Sequence, residues 1–159
     1  MIKDQLIYHS TLDDIAVLSE QVLYNRPFFL VIHGSVMKGC AKYPQDDIDG
    51  FLVKKDRLLD EEKQKLSKII SIACSRHGIE PDYYFGPIDV PSLEDMIKEK
   101  TFLSTVDHFI VYRIVSGSIY HSNFEAEKII SNLKNMVAEI HGEDGLNRLA
   151  EKYYANIYY

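Results

Sequence analysis

The segment FFLVIHGSVMKGCAKYPQDDIDGFLVKK, Phe28 to Lys55, constrains this chain more than any other. An unbroken apolar run ends at Gly34-Ser35, a polar loop follows, and Asp47 and Asp49 open a second apolar run. Residues two apart on a strand share a face, so a strand over Ile48 to Lys54 projects Asp47 and Asp49 side by side from its start. Two carboxylates held that close repel unless a cation or a proton sits between them. Such oxygen-rich pairs suit Mg²⁺, which is commonly held by one or two carboxylates plus substrate phosphates. Glycine at 34 lets the backbone approach a ligand closely, and N–H groups at a helix start attract phosphate. The segment therefore predicts a metal–nucleotide site.

Each piece also has a plainer reading: Gly-Ser after a strand is an ordinary turn, and Asp-x-Asp is an ordinary solvated loop. A calcium loop is the sharper rival. Placing Gly50 at the sixth loop position puts Gln45 at the first and Asp56 at the twelfth, where Asp and a bidentate Glu belong. FLVKK also reads as strand, so the calcium loop fails.

With 159 residues the chain is expected to form one domain with a proper core. Its 46% hydrophobic and 26% charged residues are ordinary for a globular protein. No apolar run approaches the ~20 residues that cross a bilayer, and MIKDQLIYHS lacks the apolar stretch of a secretory signal. Cys40 and Cys74 have no C-x-x-C spacing and are expected to be reduced and partly buried, which sets the cytoplasm as the expected compartment. A net charge of −6 argues against an extended nucleic-acid surface. A nucleotide remains compatible, because Mg²⁺ neutralises phosphate charge locally.

Patterning predicts an α/β (α+β) fold, a small mixed sheet with helices packed on one face and a C-terminal helical hairpin. Thr11 with Asp14 marks a first helix, stopped at Asn25-Arg26-Pro27 before a strand over Phe28 to Ile32. A short helix is expected after Ser35, and a long one from Asp60 to Gly78 with Leu66, Ile69, Ile70 and Ala73 inward. The next strand reads Ile79 to Gly86. Ser92 and Ser104 look like helix starts, Ser118 to His121 a short strand, and Ser122 with Glu125 a capping box for a helix carrying Ile129, Leu133, Met136 and Ile140 inward. A last helix begins near Asp144.

The order of strand, Gly34-Ser35, eleven residues (Val36 to Asp46) and Asp47-Ile48-Asp49 resembles the nucleotidyltransferase superfamily that includes DNA polymerase β and the minimal nucleotidyltransferases. Lys38-Gly39 stands where many small members carry a basic residue and a glycine. The resemblance covers about the first 90 residues, with an echo in RIVSGSIYHS, similar to the helix, glycine turn and short strand that close minimal members. It implies a nucleotidyltransferase core over 1–121, with C-terminal helices over 122–159 packed on the same domain. It also implies a two-metal Mg²⁺ site and a nucleoside triphosphate substrate, with ATP favoured. Gly34, Ser35 and Lys38 would contact the phosphates. Asp47, Asp49 and a third carboxylate would hold metal and assist catalysis. Asp82 and Asp89 are both in range for that third role. Asp82 is preferred because it begins the aromatic strand DYYF, whereas Asp89 sits between Pro87 and Pro91 in what reads as loop.

The chain departs from the family pattern at two positions. Gly50 follows the second aspartate where a large apolar residue is usual, marking a bulge or a close backbone approach. Asp46 precedes the first where serine is common; it either strengthens cation binding or points to solvent. The resemblance implies an acceptor hydroxyl on a partner protein, such as a HEPN-class toxin, or on a small molecule such as an aminoglycoside. A non-catalytic nucleotide-binding or partner-binding domain is the other reading. His33 is expected to be a hydrogen-bonded structural residue. Tyr153, Tyr154, Tyr158 and Tyr159, with Ile157, form either a helix docked on its own domain or a partner or homodimer surface.

Overall fold

The computed structural model describes residues 2–158 of the chain, with side chains through residue 155. Seven helices surround a four-stranded mixed sheet: α1 (Ile2–Leu23), β1 (Phe28–His33), α2 (Gly34–Lys38), β2 (Asp49–Lys54), α3 (Asp60–Arg76), β3 (Gly86–Asp89), α4 (Val90–Lys98), α5 (Asp107–Ser116), β4 (Ser118–Ser122), α6 (Ala126–His141) and α7 (Gly145–Tyr158). The sheet order is β3-β2-β1-β4. β1 runs antiparallel to both β2 and β4, and β2 runs parallel to β3. The fold is therefore mixed α/β with helices packed on the sheet.

The expectation of helices on one face is corrected. Phe28, Leu30, Ile32 and Leu52 point into a core with Tyr8, Leu12 and Ile15 of α1 and Leu66, Ile70 and Ala73 of α3. Phe29, Val31, Phe51 and Val53 point into a second core with α4, α5, α6 and α7, through Leu93, Ile97, Val111, Leu133 and Leu149. An unbroken apolar strand is what a sheet covered on both faces requires, since alternate residues are all buried. Leu133 of α6 and Leu149 of α7 thus pack on the same body as the strands. No described helix is long and apolar enough to cross a membrane.

Several element boundaries differ from the sequence pattern, and the reasons are tertiary. Thr11 lies mid-helix, buried, its hydroxyl donating to the Ile7 carbonyl at 2.9 Å. The helix begins at Ile2 because the turns before Thr11 bury Tyr8 completely. A hydroxyl cap is worth about 1 kcal/mol, less than the ~1.5–3 kcal/mol from burying a large side chain. Ser92 is not a cap; Asp89 takes that role for α4. At α3 the Glu62 carboxylate accepts from the Leu59 N–H at 3.0 Å, so the first turn is held by Glu62 rather than by Asp60. α5 begins at Asp107, beside the Thr105 hydroxyl rather than Ser104. Ser122 ends β4, and its hydroxyl donates to the Phe124 carbonyl instead of capping α6. Along α6 the buried residues are Ala126, Leu133 and Val137, with Ile129 and Met136 half-buried and Ile140 exposed.

The strand expected over Ile79 to Gly86 is displaced. Residues 79–85 are loop, joined to β2 by a bridge between Ile48 and Pro81, and the strand is Gly86–Asp89. Cys40 is exposed, against expectation; Cys74 is buried, which pushes its thiol up to about 11.

Candidate metal centre

Two segments far apart in sequence place three carboxylates together. Asp47 and Asp49 flank the start of β2. The backbone around Asp82 is tied to the same place: the Ile48 N–H donates to the Glu80 carbonyl at 3.1 Å and the Asp82 N–H to the Ile48 carbonyl at 2.8 Å. Asp47, Asp49 and Asp82 each offer an oxygen within 4.8 Å of the other two. Asp82 reaches the pair from a turn, not from a strand, and its Oδ2 accepts from the Tyr84 N–H at 3.0 Å. The parallel bridge of two hydrogen bonds around Ile48 does the positioning that the strand was expected to do.

Asp89 is elsewhere. Its Oδ1 accepts from the Ser92 N–H at 2.7 Å and its Oδ2 from the Leu58 N–H at 2.8 Å. Burial alone would raise its pKa, but the hydrogen bonds from Ser92 and Leu58 outweigh that and hold it below the usual carboxylate range. Asp89→Ala is accordingly expected to cost about 2 kcal/mol, the typical upper value for a lost charged cap. Metal and nucleotide affinity should be unchanged. Denaturant unfolding beside a Mn²⁺ titration checks both, and a loss of Mn²⁺ binding would return Asp89 to the site.

The spacer before Asp47 is anchored from α1. The Tyr8 hydroxyl donates to the Lys42 carbonyl at 3.0 Å and sits 2.6 Å from the Asp46 carbonyl, Gln5 donates to the Ala41 carbonyl at 3.1 Å, and Asp4 accepts from the Tyr43 N–H at 3.2 Å. Asp46 turns into this loop, its carboxylate accepting from the Lys42 N–H at 2.7 Å, so its hydrogen bond serves loop closure. At Gly50 the close backbone approach is observed: an added Cβ would lie 2.6 Å from the Val31 carbonyl oxygen, and the Phe85 ring covers the space.

Gly34 has φ +72°, and a Cβ there would lie 2.4 Å from Asp49 Oδ2. The glycine at the turn thus leaves the space in which the Asp49 carboxylate sits. Ser35 is half-buried behind it, and Lys38 is exposed on the last turn of α2.

Arg113 was not among the residues singled out by sequence. Its side chain, 10% exposed, places Nη1 2.8 Å from Asp82 Oδ2 and 3.5 Å from Asp49 Oδ1. Its Nε donates to the Tyr153 hydroxyl at 3.1 Å, and the guanidinium lies 4.3 Å from the Phe109 ring centroid. The signal was a single arginine in an otherwise apolar helix turn, YRIV, just before Gly117.

Electrostatics at the cluster follow from burial and crowding. Burial raises Asp49 most; Arg113 opposes it, and Asp82 and Asp47 add to it, leaving the carboxyl pushed up to about 7. Asp47 is raised by burial and then by Asp82. A site that resists ionisation in the absence of a cation is one where a cation lowers the energy. The donor set is all carboxylate oxygen, which suits hard Mg²⁺. The residues therefore fit a divalent metal.

His33 packs through its ring, meeting Tyr112 and Tyr153 edge-on with centroids 6.1 and 5.7 Å away. Burial, then Arg113 and Lys38, push its pKa down to about 4, so it is neutral at pH 7. Tyr153 is buried against Phe109 and Tyr112, which makes this part of α7 a helix docked on its own domain. Tyr154 is 47% exposed. The side chains of Ile157 and Tyr158, and all of Tyr159, lie outside the described residues. No protein-family model, curated protein or solved structure matches the chain.

Proposed function

We propose that this protein is a Mg²⁺-dependent transferase of the nucleotidyltransferase fold. It would move a nucleoside monophosphate, with ATP the favoured donor, to a hydroxyl of a partner protein or a small molecule. The observation that carries this reading is the meeting of Asp47, Asp49 and Asp82 beside Gly34. Asp47 and Asp49 would hold the metal, joined by Asp82. Bound Mg²⁺ would supply neutralisation of the triphosphate and of the leaving oxygen. The acceptor oxygen bonds to the α-phosphorus as the bond to the β-phosphate bridging oxygen breaks, and pyrophosphate leaves. Asp82 is the carboxylate assigned to take the acceptor's proton. Gly34 and Ser35 would present backbone to phosphate, and Lys38 would add an exposed positive charge at the end of the same short helix. A partner chain's side-chain hydroxyl, as on a HEPN-class toxin, is the acceptor that the family resemblance favours.

A second reading is a domain that binds metal or nucleotide without turnover. The pairing of Arg113 with Asp82 and Asp49 favours it, because an internal cation already compensates the carboxylates. Incubation with ATP, GTP, CTP or UTP labelled at the α-phosphate, with Mg²⁺ and candidate acceptors, separates the two. Transfer of α-label but not γ-label, lost on chelation, is expected. Mg²⁺-dependent binding without transfer would favour the second reading, and no Mg²⁺-dependent binding would reject both.

A further inference from the structure

Arg113 reaches the centre from α5. Phe109 lies one helical turn before it on α5, and its ring sits against the guanidinium; Tyr153 of α7 accepts from Nε. These two contacts hold the group by its face and one edge and leave Nη1 aimed at Asp82 and Asp49. A guanidinium stays protonated at any ordinary pH, so it is a permanent positive charge among three carboxylates.

That arrangement sets a conflict for a bare divalent cation. A metal on the oxygens of Asp49 and Asp82 would lie next to a buried positive charge and take away its acceptors. Breaking a buried ion pair by removing one side is strongly unfavourable, because the remaining charge is left uncompensated. A triphosphate resolves the conflict. Its oxygens accept from a guanidinium in the same forked manner as a carboxylate, and its negative charge separates the metal from the arginine. Held by Phe109 and Tyr153, Arg113 would need to exchange acceptors, with no rebuilding of the helix.

We infer that Arg113 is a triphosphate-binding residue kept in reserve as the internal counterion of the site. The site would then take metal and nucleoside triphosphate together and discriminate against the metal alone. This inference rests on the reading of Asp47, Asp49 and Asp82 as a metal centre, and it names what that centre recognises.

The test compares two ligands on the folded protein, without measuring transfer. Mn²⁺ alone is titrated by electron paramagnetic resonance, and Mg·ATP by calorimetry, against wild type and Arg113→Met, which keeps bulk and removes charge. Arg113→Met is expected to bind Mn²⁺ alone at least about tenfold more tightly and Mg·ATP at least about tenfold more weakly, since one charge at this range changes sign in the two cases. Arg113→Lys should keep the weak Mn²⁺ binding of the wild type. If Arg113→Met does not fold, Arg113→Gln carries the same comparison, since it keeps hydrogen bonding and removes the charge. Unchanged or weaker Mn²⁺ binding in the neutral variant, with Asp49→Asn still losing Mn²⁺, overturns the inference and leaves the metal centre standing. If neither wild type nor variant binds Mn²⁺, the metal centre itself is rejected and the inference falls with it.

Discussion

Asp49→Asn is expected to abolish Mg²⁺-dependent nucleotide transfer, with a loss well beyond the ~100-fold typical of removing an outer-shell partner of a metal ligand. Its effect on stability has the opposite sign and depends on pH. The folded protein holds the Asp49 proton up to about 7, against an ordinary value of 3.8, mainly because of burial. A carboxyl whose folded pKa is raised contributes its full stability below the unfolded pKa, and that contribution is lost as pH rises through the folded pKa. The wild-type protein should therefore lose stability between about pH 4 and 7 through this group. Asparagine does not ionise, so Asp49→Asn should be more stable than wild type by on the order of 1 kcal/mol at pH 8, and the gain should shrink towards pH 5. Arg113 keeps Asp82 as its nearer partner at 2.8 Å, so the variant does not strand the guanidinium. Saturating Mg·ATP should raise the melting temperature of wild type and leave the variant unmoved. Thermal melts at the two pH values, with and without Mg·ATP, check the stability statements, and label transfer checks the first. A variant that transfers label at the wild-type rate would remove Asp49 from the centre.

Gly34→Ala is the second large effect, and it should act through geometry alone, since it changes no charge. Two costs are superimposed at this position. The backbone has φ +72°, where an L-residue with a Cβ costs about 1–2 kcal/mol. The new Cβ would also lie 2.4 Å from Asp49 Oδ2, so the carboxylate must swing away from Asp47 and Asp82. Gly39 separates the two terms, because it too has φ +72° and a Cβ there meets nothing within 4 Å. Gly39→Ala should lower the melting temperature by a few degrees, the usual scale for 1–2 kcal/mol in a chain of this size, and leave Mn²⁺ and Mg·ATP binding intact. Gly34→Ala should lose at least as much stability and also bind Mn²⁺ at least about tenfold more weakly, a loss of the size expected for a displaced metal ligand. Equal Mn²⁺ affinities in the two variants would show that the space beside Gly34 is not part of the centre.

The local pattern from Phe28 to Lys55 determined a good deal by itself. An unbroken apolar run, a glycine turn and two aspartates two apart match the strand, the turn and the paired aspartates at the start of the next strand. Those contacts lie within one segment, and they are the contacts that residue order controls directly. The two-sided burial of β1 was legible in the same run, because every residue from Phe28 to Ile32 is apolar.

Tertiary structure decided the rest. The pattern favoured Asp82 over Asp89 on the ground that 79–86 was strand; the strand proved to be Gly86–Asp89, and Asp82 arrives through two backbone hydrogen bonds around Ile48. Hydroxyl cap signals at Thr11, Ser92 and Ser122 yielded to stronger local partners, because a cap is worth about 1 kcal/mol and burying Tyr8 or satisfying Asp89 outweighs it. Arg113 was out of reach of sequence spacing altogether. It stands 64 positions beyond Asp49, and meets it because α5 packs against β1 and β2 at the sheet end where Asp49 opens β2. A charge pair formed across that distance leaves no periodicity in the chain; it exists only once the two cores on either side of the sheet have brought α5 and α7 to the edge of the site.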